Sequence, residues 1–519
     1  MASSSKPRVT FQIIPASQLA TVTAQKILIV GQMLAAGSAT SGALTQAIGN
    51  ASEEDALFGQ RSHLAGMIRA AKKVLARGGA NQPQMDAIPI DDDGGATEGT
   101  GVLTITGPAT ASGSIIFAVG SGENHEFTID IADTDTATAI GDDLVTAITA
   151  DADAPFTAAN VAGVVTITAA NGGTLCNTWT LKVSGSAAGV AVAITAWTGG
   201  ATAPTVTGIF DVVGSTRYQT VVYPDSWDLD EVQTFLDDRF NADNIVLDGA
   251  AVVSVSGTLS AVKALALPVN SQSVVMVGLR TVSVADIKGN AIVEMPDVVS
   301  AQLGAIRAMR LTEGALLSQI NIVTGGPLDA FGGPAIASLP YHNTSLADIA
   351  LPNSAQTWTE VEQADLEDSG VAVIGINRAL NGMILSTQTT TYLTDGAGNP
   401  DTSYKFLNTV DTVSVIRETY FENLKSQYAQ FRLTDGALIA GRSMANAASI
   451  KAFLGIVYNS LSQEALVQAG DAAFEDFVST TIVTVDVGAG SVTITMAPLL
   501  VGQLREFTGT IQVNFSTGS

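Results

Sequence analysis

Three short stretches of this chain carry residue types suited to chemistry, and each fails on spacing or surroundings. Gly31-Gln-Met-Leu-Ala-Ala-Gly37-Ser-Ala-Thr follows an apolar run, where a glycine-rich loop can cradle phosphate. Such a loop needs four residues between its glycines and a lysine before the hydroxyl residue. Here five residues separate Gly31 from Gly37, and no lysine precedes Ser38. Asp91-Asp92-Asp93 and the group Asp130, Asp133 and Asp135 gather carboxylates as a calcium loop does. Neither has the EF-hand spacing with its closing glutamate, so solvated acidic loops are expected. Gly441-Arg-Ser443-Met-Ala445 approaches a nucleophile elbow, with alanine in place of the second glycine and surroundings that read as helical. A serine nucleophile also needs a base, and His63, His125 and His342 lie in three separate segments. The single Cys176 and three histidines supply neither an internal disulfide nor a structural zinc set. A chain made in a reducing cytosol is expected, with no catalytic residues, no cofactor and no metal.

Composition narrows the partners. At 519 residues, with 46% hydrophobic and 14% charged, the chain has ample apolar material. It is long enough for about three domains at the usual ~150 residues each. The net charge of −25 is uneven. Residues 1–90 hold eight basic and four acidic groups, 91–210 hold thirteen acidic groups against Lys182 alone, and 211–519 hold 32 acidic and 15 basic. Such a surface stays soluble and repels a phosphate backbone, which excludes nucleic-acid binding as a main role. No apolar run approaches the ~20 residues that span a bilayer, and no secretion signal is evident.

The ends of the chain alternate with a period of two. Val9, Phe11 and Ile13 share one face of the first run; Phe507, Ile511, Val513 and Phe515 share one face of the last. Strands at chain ends need a partner, and strand addition to a neighbouring subunit is the simplest use of such arms. If each copy gives a strand to the next, the contact is head-to-tail and builds a ring or an open helix.

Between the arms the texture changes several times. A short buried strand is expected at 26–31. Mostly helical chain follows over 50–77, with Ser52 as N-cap and a break near Gly59. From 96 to 207 the Thr-, Ala- and Gly-rich sequence predicts strands at 102–106, 114–119, 125–131, 164–168, 178–183 and 190–196, with one helix at 136–149. Acidic and bounded by Gly/Pro loops, this segment reads as a domain inserted in a loop of another. An α/β texture resumes: strand 219–223, helix 229–240, strand 273–278, helix 296–311, loop 320–340 and a strand pair at 371–376 and 383–387. Helical chain over 410–433, helices at 444–458 and 463–468, and a hairpin of 481–487 with 491–496 complete the pattern. Arg417, Lys425, Arg432, Arg442 and Lys451 fall on this last helical stretch, either as solvated faces or as a basic surface for an acidic partner.

The stretches Val9-Thr-Phe-Gln-Ile-Ile-Pro15-Ala-Ser, ILIVGQMLAAGSATSG and YPDSWDLDEVQTFLDDRF, with the long C-terminal helix before a hairpin and final strand, resemble the contractile tail sheath proteins of Mu-like myophages. The resemblance implies an α+β multidomain fold: a mixed α/β sheath core, an inserted β-rich outer domain and extended N- and C-terminal strand arms. The expected parts are an arm over 1–25, core over 26–95 and 208–395, the β-rich outer domain over 96–207, a helical and hairpin domain over 396–504, and an arm over 505–519. It also implies a virion tail structural protein, not an enzyme, assembled in the host cytoplasm. Its expected partners are other copies in a helical stack of hexameric rings, the tail tube protein, and baseplate and tail terminator proteins. Neither nucleic acid nor membrane contact by the sheath itself is implied. In that setting the terminal arms would be inter-subunit tethers, and Arg432, Arg442 and Lys451 a tube-facing basic surface. A capsid- or tail-decorating, adhesin-like binding protein is the alternative, on the strength of the Thr/Gly-rich segment.

Overall fold

The computed structural model describes residues 25–49, 52–76, 82–120, 125–240, 246–280, 294–324, 346, 357–377 and 382–502. Strand β1 (Lys26–Gln32) carries four fully buried apolar residues in a row, Ile27 to Val30. A continuous run, rather than alternation, is what a strand covered on both faces requires. Ile27 and Ile29 enter one apolar core, Leu28 and Val30 another.

Helices α1 (Glu53–Phe58) and α2 (His63–Leu75) follow, broken at Gly59 as the sequence predicts. Their capping differs from expectation. Ser52 has a left-handed backbone (φ 65°) and its side chain caps nothing. Ser62 does the capping, its hydroxyl accepting the Ala65 N–H at 3.1 Å. The acidic run that made Ser52 resemble a cap binds α2 instead: Asp55 meets Arg69 at 2.5 Å, and Glu54 pairs with Lys72. Strand β2 (Gln84–Ile90) then pairs in parallel with β1. No strand was expected here, because Asp86 and Pro89 interrupt the apolar pattern. Pro89 is tolerated on a sheet edge, and Asp86 accepts from Ala47 N, Gln84 Nε2 and the Tyr218 hydroxyl.

Residues 97–201 leave this sheet and make two of their own, closed at the base by a Thr97–Ala201 bridge. The elements are β3 (Thr100–Thr106), β4 (Gly113–Val119), β5 (Glu126–Ile131), α3 (Ala137–Ala150), β6 (Phe156–Val161), β7 (Val164–Ala169), β8 (Leu181–Ser186) and β9 (Ala191–Thr198). One sheet runs β6-β7-β3-β9, the other β5-β4-β8, and both are antiparallel. They share a core with Phe156, Trp179 and Trp197, sealed by Ile140, Leu144 and Ile148 of α3. The strand predicted over 178–183 starts at Leu181, after a 3-10 turn at Leu175–Thr178.

The main sheet resumes with β10 (Thr220–Val222), α4 (Leu229–Phe240), β11 (Ala250–Gly257), α5 (Leu259–Ala266), β12 (Val274–Arg280), α6 (Pro296–Thr324), α7 (Glu360–Asp368), β13 (Val371–Asn377) and β14 (Gly382–Thr387). Its order is β14-β13-β12-β11-β10-β1-β2, parallel except for the β13–β14 pair. Helices α2 and α6 cover one face, α4 and α5 the other. Strand order reverses at β1, the mark of a doubly wound sheet. Helix α6 is longer than expected: 320–324, assigned to a loop, continue the helix. The rest of that loop lies outside the described residues.

The C-terminal part contains α8 (Leu407–Tyr428), β15 (Arg432–Leu433), β16 (Met444–Ala445), α9 (Ala447–Gln463), α10 (Asp471–Thr480), β17 (Ile482–Asp486) and β18 (Ser491–Thr495). Two expectations fail here. Residues 432–433 and 444–445 are strand rather than helix: they pair with each other, and α9 starts only after Asn446, which accepts the Ser449 N–H. Residues 464–468 are not helical: Ala465 turns left-handed (φ 55°), and the next helix starts only after Gly470.

Replacing Ser62 by alanine should cost about 1 kcal/mol in urea unfolding, as loss of an N-cap does. Ser52→Ala should change stability by no more than a few tenths.

Candidate assembly surfaces

The C-terminal part has its own apolar core, built on a stack of three rings. Phe477 lies between Tyr458 (centroids 4.4 Å) and Tyr420 (6.4 Å). Hairpin β17–β18 leans on this core through Val483, Val485, Val492 and Ile494, while Ile482, Thr484 and Asp486 face outward. Among the described residues the hairpin is a two-stranded sheet, so each strand presents one unpaired edge. The alternating terminal runs with Val9, Phe11 and Ile13, and with Phe507, Ile511, Val513 and Phe515, lie outside the described residues.

The basic residues do not share one helical stretch. Arg417 of α8 is engaged by Asp248 and the Phe240 carbonyl, and Lys425 lies 4.0 Å from Glu422. Arg432 is in β15 and Arg442 in the turn before β16, both exposed, while Lys451 is half-buried on α9. The chain turns there because Thr434 and Arg432 pair with the 443–445 backbone. Arg432, Arg442 and Lys451 form no ion pair with a described residue.

Helix α8 joins this part to the main sheet through charge. Arg307 of α6 meets Asp411 at 2.5 Å, with side chains only 2% and 6% exposed. The same guanidinium donates to the Gln219 carbonyl and, at 2.8 Å, to Thr220 Oγ1. One and two turns further along, Arg217 binds Ser414 at 2.9 Å and Glu418 at 2.7 Å. Burial pushes the Asp248 carboxyl up despite the cation of Arg417 beside it. The apolar residues of the second half of α8, Ile416, Tyr420, Leu424 and Tyr428, pack on the C-terminal core.

The chemically suggestive residues are absorbed into structure. Ser443 of the elbow-like motif sits in a turn rather than in helix, and its carbonyl accepts the Arg432 N–H. His63 is buried and driven neutral, its pKa lowered to about 4 by burial. His125 Nδ1 pairs with Asp151 at 2.9 Å, and His342 lies outside the described residues. Asp92 is not a solvated loop residue: it accepts from Gln32, Asn171 and Gly172. Asp135 accepts the Ala132 N–H in a local turn. Among the described residues no group of His, Cys, Asp and Glu is placed to hold a metal ion.

Two carboxyls at the carboxyl edge of the main sheet were not singled out by sequence. Asp225 follows β10 and Asp297 opens α6, where it lines a cavity of about 260 Å³ between α2, α6 and the 97–201 segment. Burial raises Asp225 to about 7, helped by Asp297, and raises Asp297 to about 6. The Asp225 Oδ1 is enclosed without a hydrogen-bond partner among the described residues.

Comparison with known proteins bears on what these surfaces serve. Over 474 residues the chain is 24% identical to the Mu-like prophage FluMu tail sheath protein of Haemophilus influenzae, covering 89% of this chain and 87% of that one. The likeness to a tail sheath protein holds across most of the chain. No protein-family model matches it. Sheath tail proteins of Desulfitobacterium hafniense and Listeria innocua align over 95% and 94% of this chain, at 11% and 10% identity and a TM-score of 0.44 each. At that level neither bears on this fold.

Removing one member of a buried pair strands the other, so Asp411→Ala should cost about 3–5 kcal/mol in chemical denaturation. Asp225 and Asp297 hold protons to higher pH than the reference value of 3.8. Their contribution is therefore fully present below that value and lost as pH rises through about 6 and 7. Asp225→Asn should raise the melting temperature at about pH 8 and leave it unchanged at about pH 4.

Proposed function

We propose that this chain is a structural subunit of a contractile phage tail sheath. The observation that carries the reading is the likeness to a tail sheath protein over most of both chains. The period-two alternation of the terminal sequences fits it, as arms that would add as strands to a neighbour, and among the described residues the β17–β18 hairpin has open edges to receive them. Copies linked in this way form a mesh that polymerises helically around a tail tube. Contraction then requires subunit contacts with two stable arrangements, and tethers that hold the mesh together while the copies rotate. Residues 96–207 stand as an outer domain, and the cations Arg432, Arg442 and Lys451 as the surface that meets the tube.

The expected behaviour on negative-stain microscopy, at high concentration and without other tail proteins, is hollow tubes or stacked rings. Uniform small particles at every concentration, persisting when tube protein is added, would overturn the reading in favour of a decorating or adhesin-like protein. Deleting residues 505–519 should abolish polymerisation and leave a folded monomer; tubes that still form contradict the arm mechanism. The double reversal Arg432→Glu with Lys451→Glu should disrupt co-assembly with tube while sheath-only polymers persist. An unchanged yield of tube-filled sheaths counts against the tube-facing assignment.

A further inference from the structure

A doubly wound sheet receives its ligands in the crevice beyond the carboxyl ends of its strands, where strand order reverses. Here that point is β1, whose crossover helix α2 lies on one face while α4, after β10, lies on the other. The crevice is occupied by the chain itself. Gln32, the last residue of β1, is fully buried and donates through Nε2 to the Gly172 carbonyl (2.7 Å) and to Asp92 Oδ1 (2.6 Å). Asn171, also fully buried, donates to the Met33 carbonyl just beyond β1 and to Asp92, both at 2.9 Å. Its Oδ1 accepts the His63 N–H at 3.0 Å, the first amide of α2. That amide, at a helix start, is the group an anion ordinarily satisfies in such a fold. Asp92 completes the set by accepting the Gly172 N–H at 2.7 Å.

We propose that the Asn171–Gly172 loop is an internal ligand of the main sheet, filling its switch-point crevice and latching the 97–201 segment to β1 and α2. Each of these bonds from the loop joins residues 79 to 140 positions apart, so none is a by-product of local turn geometry. A second contact between the same parts is different in kind: Arg61 and Arg69 reach carbonyls of the 153–156 chain from the side of α2. That contact leaves β1 untouched. The latch reaches β1 itself and so ties the segment to the centre of the sheet, beside the apolar contacts of Met295 and Val298 with the core of the segment, and the two parts move as one body for as long as it is closed. The inference stands on these contacts and is independent of the sheath reading.

Hydrogen exchange read by mass spectrometry on the full chain tests it. Asn171→Asp puts a second carboxylate against Asp92 and removes the donor to Met33. It should speed exchange over 27–33 and 62–66 by about tenfold and leave the β17–β18 hairpin unchanged. Adding Asp92→Asn restores a donor between the two positions and should recover part of the protection. Gln32→Ala removes two of the bonds without adding charge, and should loosen the same peptides if Asn171→Asp does not fold. Arg61→Ala should not affect 27–33. Faster exchange confined to the loop itself, no recovery in the double variant, or an Arg61→Ala pattern matching that of Asn171→Asp overturns the proposal.

Discussion

A strand with apolar side chains on both faces must be covered on both, and β1 imposes that demand on the whole molecule. Ile27 and Ile29 require α2 and α6; Leu28 and Val30 require α4 and the chain around Phe210. Its backbone must also be satisfied on both edges, which fixes β2 on one side and β10 on the other. What remains is its carboxyl end, where a helix start and a strand end converge with no regular element to complete them. The Asn171 carboxamide and the Asp92 carboxylate meet that need.

Charge and apolar packing divide the labour elsewhere. The 97–201 sheets and the C-terminal part each have an apolar core of their own. The joints with the main sheet combine apolar contacts, Leu407 on one side and Met295 with Val298 on the other, with polar pairs: Arg307 with Asp411, Arg217 with Glu418, and Asn171 with Asp92. Polar joints fix orientation sharply, because a displacement of an ångström strands a buried charge or amide. Apolar cores tolerate such shifts better and hold each part together.

The sequence shows its elements where one local rule decides. The apolar run of β1, the stripe of α3, the edges of α4 and the Gly-Ala-Gly hairpin all follow from period or turn chemistry. It misleads where a distant residue reverses the local preference. Ser52 with three acids behind it has every local mark of a cap, yet Arg69 and Lys72 claim those acids and Ser62 caps the longer helix. Strand β2 is hidden by Asp86, whose partner Tyr218 lies 132 residues away. Asp92 looked solvated for the same reason, since nothing near it announces Asn171. The hairpin itself is legible, because two short alternating runs flank a glycine turn; the terminal strand expected beside it lies outside the described residues. The helical period of Val413, Ile416, Tyr420, Leu424 and Tyr428 carries the helical reading of 410–433 over Arg432, whereas the β15–β16 pairing beyond it has only two residues on each side.

The parallel pairing of β1 has a consequence for the order of synthesis. Lys26 N–H donates to the side chain of Gln219, 193 residues later, and the neighbouring strand β10 begins at Thr220. At about 5–20 residues per second a ribosome needs roughly 10–40 s to cover that interval. For all of it β1 lacks its β10 neighbour, while the antiparallel sheets of 97–201 are complete once β9 (Ala191–Thr198) is made, before β10. The later part of the nascent chain can therefore fold before the earlier part, and the exposed β1 is the stretch for which a chaperone has most time to compete.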